Sequence, residues 1–185
     1  LWDAAKAPVP GTDRAALAMS YFPREAEPLW SRFSTHAVAH TVDSYSRHAY
    51  PYPYPVAISV NGPVGGMEYP MISFNGPRPE KDGTYSAGTK WGLVGVIIHE
   101  VGHNWFPMVV NTDERRHAWM DEGFNTFINR YSGVDWFKKG GEAKPSSFAG
   151  MMKMPGVPIV TAADRLNGLQ LGLLQYQKTG VGLTI

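Results

Sequence analysis

From Pro28 to Arg47 the apolar residues Leu29, Trp30, Phe33, Val38, Val42 and Tyr45 recur at steps of three and four. That period marks one face of an amphipathic helix, and the PYPYP run at 51–55 ends it. VAISV at 56–60 then reads as a strand, Asn61-Gly62-Pro63 as a turn, and MISFNG at 71–76 as a second strand. A polar connection at 77–88 leads to another helix, with Thr89 as the expected N-cap. Its LVGVII segment is apolar on nearly every side, which predicts burial, and it is expected to run to about Phe106, ahead of Pro107. MVVNTDERRH reads as an irregular crossover, a third helix is expected from near Asp121 to Gly133, and residues 164 to about 180 read as helical again. Residues 1–27 form a poorly defined lead-in in which only ALAMSYF resembles a short strand or helical turn, and 134–158 reads as a loop-rich insert.

At 185 residues the chain is one sizeable domain or a large piece of one. The net charge of +1 is scattered, so there is no basic stripe for a phosphate backbone and no nucleic-acid partner is expected. The absence of cysteine excludes disulfides and thiolate chemistry. No apolar run approaches the roughly 18 residues of a membrane span, and no charged-then-apolar leader opens the chain. It therefore reads as soluble with its compartment open, a secreted or periplasmic location included. It starts at Leu1 and stops at Ile185 within an apolar pattern that has no cap or breaker, so it is expected to be a fragment of something longer.

Candidate chemistry concentrates in His99-Glu100-Val101-Gly102-His103. Residues four apart on a helix lie one turn above each other, so both imidazoles can reach a single ion. Eighteen residues separate His103 from Glu122 in the run WMDEGF, and a glutamate from a second helix completes a ligand set known for hydrolytic zinc. A fourth position is left for water, and Glu100 stands where it can take that water's proton. Chance produces HExxH roughly 0.01 times in a chain of this composition. A buried glutamate and two buried histidines without a metal would also be costly.

Four stretches in order, YPYP before a strand, GGMEYP at 65–70, HEVGHNWF with WMDEGF at 99–124, and YQKTG at 176–180, resemble the gluzincin aminopeptidases of the aminopeptidase N type, whose relatives include leukotriene hydrolase. The resemblance spans about residues 34–185. It implies an α+β, thermolysin-like catalytic domain, here incomplete, with an antiparallel edge strand at 65–74 above the zinc helix. It also implies hydrolysis of the N-terminal peptide bond of peptides. His99, His103 and Glu122 are then the ligands of one zinc ion and Glu100 the general base. Tyr176 donates to the oxyanion of the tetrahedral intermediate. Gly65, Gly66 and Met67 line the peptide backbone, while Glu68 binds the free α-amine and makes the site an exopeptidase's. Tyr69 stands where the commonest form of the motif has asparagine, a change that touches the first subsite. N-terminal and C-terminal domains of the parent chain, which wall the active site in that family, are expected to pack against this piece.

His36 and His40 also stand one helical turn apart but lack an interposed glutamate and a third ligand, so a surface or packing role is expected for them and for His48 and His117. Asn125 and Thr126 are candidates for supporting a ligand histidine. Two other readings use the same residues: an endopeptidase or other small-substrate hydrolase, and a scaffold that kept the fold without catalysis.

Overall fold

The computed structural model describes residues 1–138 and 157–184. They fall into two compact units, Leu1–Asn104 and the described residues from Trp105 onward.

The first unit holds a five-stranded mixed sheet and two helices. Strands β1 (Trp2–Pro8), β2 (Ala15–Tyr21), β3 (Val56–Asn61), β4 (Gly66–Tyr69) and β5 (Ile72–Asn75) lie in the order β1-β2-β3-β5-β4. β1 with β2 and β4 with β5 are antiparallel, whereas β2 with β3 and β3 with β5 are parallel. Parallel neighbours need a crossover, and helix α1 (Leu29–His48) supplies the one from β2 to β3. Its buried row, Leu29, Trp30, Ala37, Val38, Val42 and Tyr45, follows the apolar period of the sequence. Helix α2 (Ala87–Gly102) packs on α1 and on strands β3, β4 and β5.

The two faces of the sheet differ in kind. Toward the helices it presents small or polar buried residues, Ala18, Ser20, Ala57, Ser59, Ser73 and Asn75. Short side chains let the helices approach closely, and Ser20 Oγ shares hydrogen bonds with Thr35 Oγ1 at 2.6 Å and Ser34 Oγ at 2.9 Å on α1. The opposite face is apolar, with Trp2, Leu17, Tyr21, Met67 and Tyr69 all exposed. Cross-strand partners such as Trp2 with Tyr21 and Met67 with Phe74 share that face.

The second unit is helical. Helix α3 runs Ala118–Phe137 and ends on Lys138 in the left-handed region at φ 50°. A continuous helical stretch at 168–182 packs against it. That stretch comprises α4 (Gly168–Leu171), a π-helical segment Gly172–Lys178, and α5 (Thr179–Gly182). Asn167 and Gln170 close a reciprocal capping box at its start, with bonds of 2.9 and 3.1 Å.

Several sequence expectations are corrected. Residues 1–27 are an ordered hairpin, β1 and β2, followed by a 3-10 turn at Arg24–Ala26. β1 escaped the pattern because WDAAKAP has no alternation, and pairing with β2 makes it a strand. Ser86, not Thr89, caps α2, its Oγ accepting from Thr89 N at 3.0 Å. α2 ends at Gly102 rather than Phe106, and it is not buried all round, since Trp91 and Gly92 are exposed. Val134–Phe137 belong to α3 rather than to a loop-rich insert, because a half-buried glycine such as Gly133 can be carried inside a helix held by its buried face. The rest of that insert, 139–156, lies outside the described residues.

Candidate metallopeptidase site

In the first unit, α2 carries His99 and Glu100 in its last turn and His103 as its C-cap. His99 and His103 face each other with Nε2 atoms 3.2 Å apart and rings at 86°. Two nitrogens at zinc's usual bond length in a tetrahedral shell stand roughly 3.3 Å apart, so the pair fits two vertices of such a site. Glu100 is 6% exposed and His103 1%. The hydroxyl of Tyr45, wholly buried on α1, is pushed well above its ordinary range by burial and then by the charge of Glu100.

The antiparallel edge strand expected at 65–74 is two strands, the edge strand β4 and its partner β5, joined by a turn at Pro70 and Met71. Strand alternation places Gly66 and Glu68 on the face toward α2, opposite Asn75 and Ser73, and Met67 and Tyr69 on the open face. At Gly66 the approach is close: a Cβ would stand 2.9 Å from Glu100 Cδ, in contact with its Oε1, and 2.7 Å from Val96 Cγ2. Only a residue without a side chain lets the strand lie this near the glutamate. Asn104, just past α2, accepts from Met71 N at 2.8 Å in the β4–β5 turn, and Met71 takes φ 65° there. That bond ties the height of β4 to the end of α2. The ring of Tyr69 rests edge-on against Phe74 at 5.9 Å, so its side chain lies on the other side of the strand from Glu68.

In the second unit, Glu122 on α3 accepts a 2.6 Å hydrogen bond from the hydroxyl of Tyr176 in the π segment. Gln175 beside it is fully buried, and its Nε2 donates to Ile159 O at 3.2 Å and Thr161 O at 3.0 Å. Asn125 is fully buried and Thr126 packs against Gly180. Sequence reasoning placed Tyr45 only in the apolar row of α1 and gave Gln175 no role, because close approach between elements leaves no local pattern to read.

A helix bearing HExxH beneath the edge strand of a mixed α+β sheet is the architecture of a metallopeptidase catalytic domain. The model of the Peptidase family M1 domain matches residues 33–166, and the chain belongs to that family. It is 31% identical over 104 residues to Aminopeptidase M1 of Arabidopsis thaliana, covering 53% of this chain and 12% of that protein. It is 37% identical over 68 residues to Aminopeptidase B of Rattus norvegicus, covering 37% of this chain and 9% of that one. Among solved structures, an M1 zinc metallopeptidase variant from Deinococcus radiodurans shares the fold, with a TM-score of 0.65 at 16% identity over 97% of this chain and 39% of that one. The chain thus spans only a minor part of the length of these relatives. Among the described residues no helix is long and apolar enough to cross a membrane.

Proposed function

We propose that this chain is catalytic-domain sequence of a zinc-dependent aminopeptidase that hydrolyses the N-terminal peptide bond of peptides. In this reading both units belong to a single thermolysin-like catalytic domain, and His99, His103 and Glu122 hold one zinc ion. The observation that carries it is the pair of Nε2 atoms 3.2 Å apart on α2, with Glu100 buried in the same turn.

A bound zinc supplies Lewis acidity, polarising the scissile carbonyl and lowering the pKa of water from about 15.7 to about 7. Glu100 takes the proton of the attacking water and delivers it to the leaving amine. Tyr176 donates its hydroxyl hydrogen to the carbonyl oxygen as charge gathers there. Its contact with Glu122 supports this role, because it holds the phenol beside a ligand carboxylate. Glu68, on the face of β4 toward α2, pairs with the substrate's ammonium and sets how deeply the peptide enters. Gly65, Gly66 and Met67 meet the peptide through their backbone, Met67's side chain being on the open face. The exposed apolar face around Trp2, Leu17 and Tyr21 supports further domains of the parent chain as packing partners.

Cleavage of aminoacyl reporter substrates and of their N-acetylated copies by the parent enzyme tests the reading. Free amines are expected to be strongly preferred, and equal cleavage of both would overturn the aminopeptidase assignment.

A further inference from the structure

α3 and the 168–182 stretch approach each other closely at Gly123, the residue after Glu122. A Cβ there would be in contact with Thr179 Cγ2, would stand 2.5 Å from Thr179 Cβ, and would come within 3.0 Å of the backbone oxygen of Gln175. One residue past Gln175 is Tyr176. A second notch lies one turn along, where a Cβ on Gly180 would stand 3.0 Å from Thr126 Cγ2. Each helix therefore meets the other through a glycine set against a threonine.

The segment is also held internally and from its other side. Thr179 Oγ1 donates to Leu174 O, five residues back, at 3.2 Å, satisfying a carbonyl in the widened turn. Gln175 fixes the outer side through its two bonds to the 159–161 backbone. π turns inside helices are rare and recur at functional sites, where they re-aim a side chain. Here the side chain so aimed is Tyr176.

We infer that Gly123 is a positioning residue, whose missing side chain lets the π segment dock on α3 so that the Tyr176 hydroxyl reaches Glu122, with Gln175 holding the segment from behind. This rests on the reading of Tyr176 as the oxyanion donor. A side chain at Gly123 meets backbone at Gln175 as well as Thr179, so rotating one side chain cannot absorb it. The segment must move, and a displacement near 1 Å at a catalytic group costs about 10²-fold in rate.

The test is a double-mutant cycle in the full-length zinc-loaded enzyme. Gly123→Ala is expected to lower kcat about 10²-fold with KM changed less than about threefold. Tyr176→Phe is expected to lower kcat about 10²- to 10³-fold. In the Tyr176→Phe background Gly123→Ala should then cost less than about threefold, because its effect acts through a hydroxyl already gone. A full additional loss would overturn the inference, whereas a harmless Tyr176→Phe would sink the reading of Tyr176 itself. A crystal structure of the metal-free Gly123→Ala variant gives a readout independent of turnover. The Tyr176–Glu122 bond should be broken there, and its survival at the present length would count against Gly123. Gln175→Met, which keeps the volume and removes the clamp, carries the same cycle with the same expected non-additivity should Gly123→Ala not fold, and additivity there would likewise overturn the inference.

Discussion

The hydroxyl of Tyr176 sits 2.6 Å from the carboxylate of Glu122, across 54 residues of sequence. The bond joins two helical elements at the residues that the sequence assigns to oxyanion stabilisation and to metal binding. Under the proposed ligand set, this contact holds the phenol beside a carboxylate that would bind the metal.

The three assigned ligands are expected to be individually necessary for metal. Alanine at His99, His103 or Glu122 should lower bound zinc in the purified full-length protein to below about a tenth of an equivalent, measured by elemental analysis. Chelation of the unsubstituted enzyme should abolish turnover and added zinc should restore it. Retention of stoichiometric zinc by any one of these variants would remove that residue from the ligand set.

Glu100→Gln separates binding from proton transfer. The amide keeps the shape of the side chain but cannot accept a proton, so zinc content should be unchanged while kcat falls about 10²- to 10⁴-fold. Single-turnover and steady-state rates on an aminoacyl reporter measure this. A variant as active as its parent would show that another group takes the proton.

Glu68→Ala removes the partner proposed for the substrate's ammonium. Loss of a charge-assisted bond of about 1.5–3 kcal/mol should reduce kcat/KM roughly 10- to 150-fold on peptides with a free N-terminus. Slow cleavage of an N-acetylated peptide should hardly change. Equal losses on both would mean that Glu68 acts on something other than the amine.

Alkaline pH should unfold the first unit through Tyr52, which is wholly buried, and Tyr50, which is half-buried. Burial, and next the charge of Tyr54, raises the hydroxyl of Tyr50 from 10.0 to about 12. The same two causes raise Tyr52 further, and its hydroxyl donates to Val56 O at 2.9 Å. A phenol whose pKa rises on folding favours the fold while it is protonated in both states. Its contribution is complete below about pH 10 and is lost as pH climbs through the folded values. Absorbance at the phenolate band should therefore stay low for these residues past pH 11 and rise together with loss of the circular dichroism signal. Their full titration near pH 10 with the fold intact would contradict the burial.

Much of the molecule was legible in local pattern. The apolar period of α1 placed it within one residue at each end, because a helix that packs on a sheet must repeat its apolar stripe. The HEVGH spacing brought two imidazoles together for a reason internal to one helix, the turn of about 3.6 residues. GGMEYP pointed to the edge strand through its resemblance to the family's motif, and glycines suit a strand on which another backbone closes.

What the tertiary structure decided lies where separate elements meet. Nothing in WDAAKAP declares a strand until β2 pairs with it. The alternation of β4 turns Tyr69 away from Glu68 and onto Phe74, so the substitution singled out in the motif falls on the open face of the sheet. Nine tyrosines are indistinguishable as donors in composition, and only the fold sets Tyr176 on Glu122. Gly123 reads in sequence as a neutral residue following a ligand, while in three dimensions it is the gap into which the next helix fits. Periodicity is a property of one element and can be read along the chain. Contact distance belongs to two elements at once and exists only after both have folded.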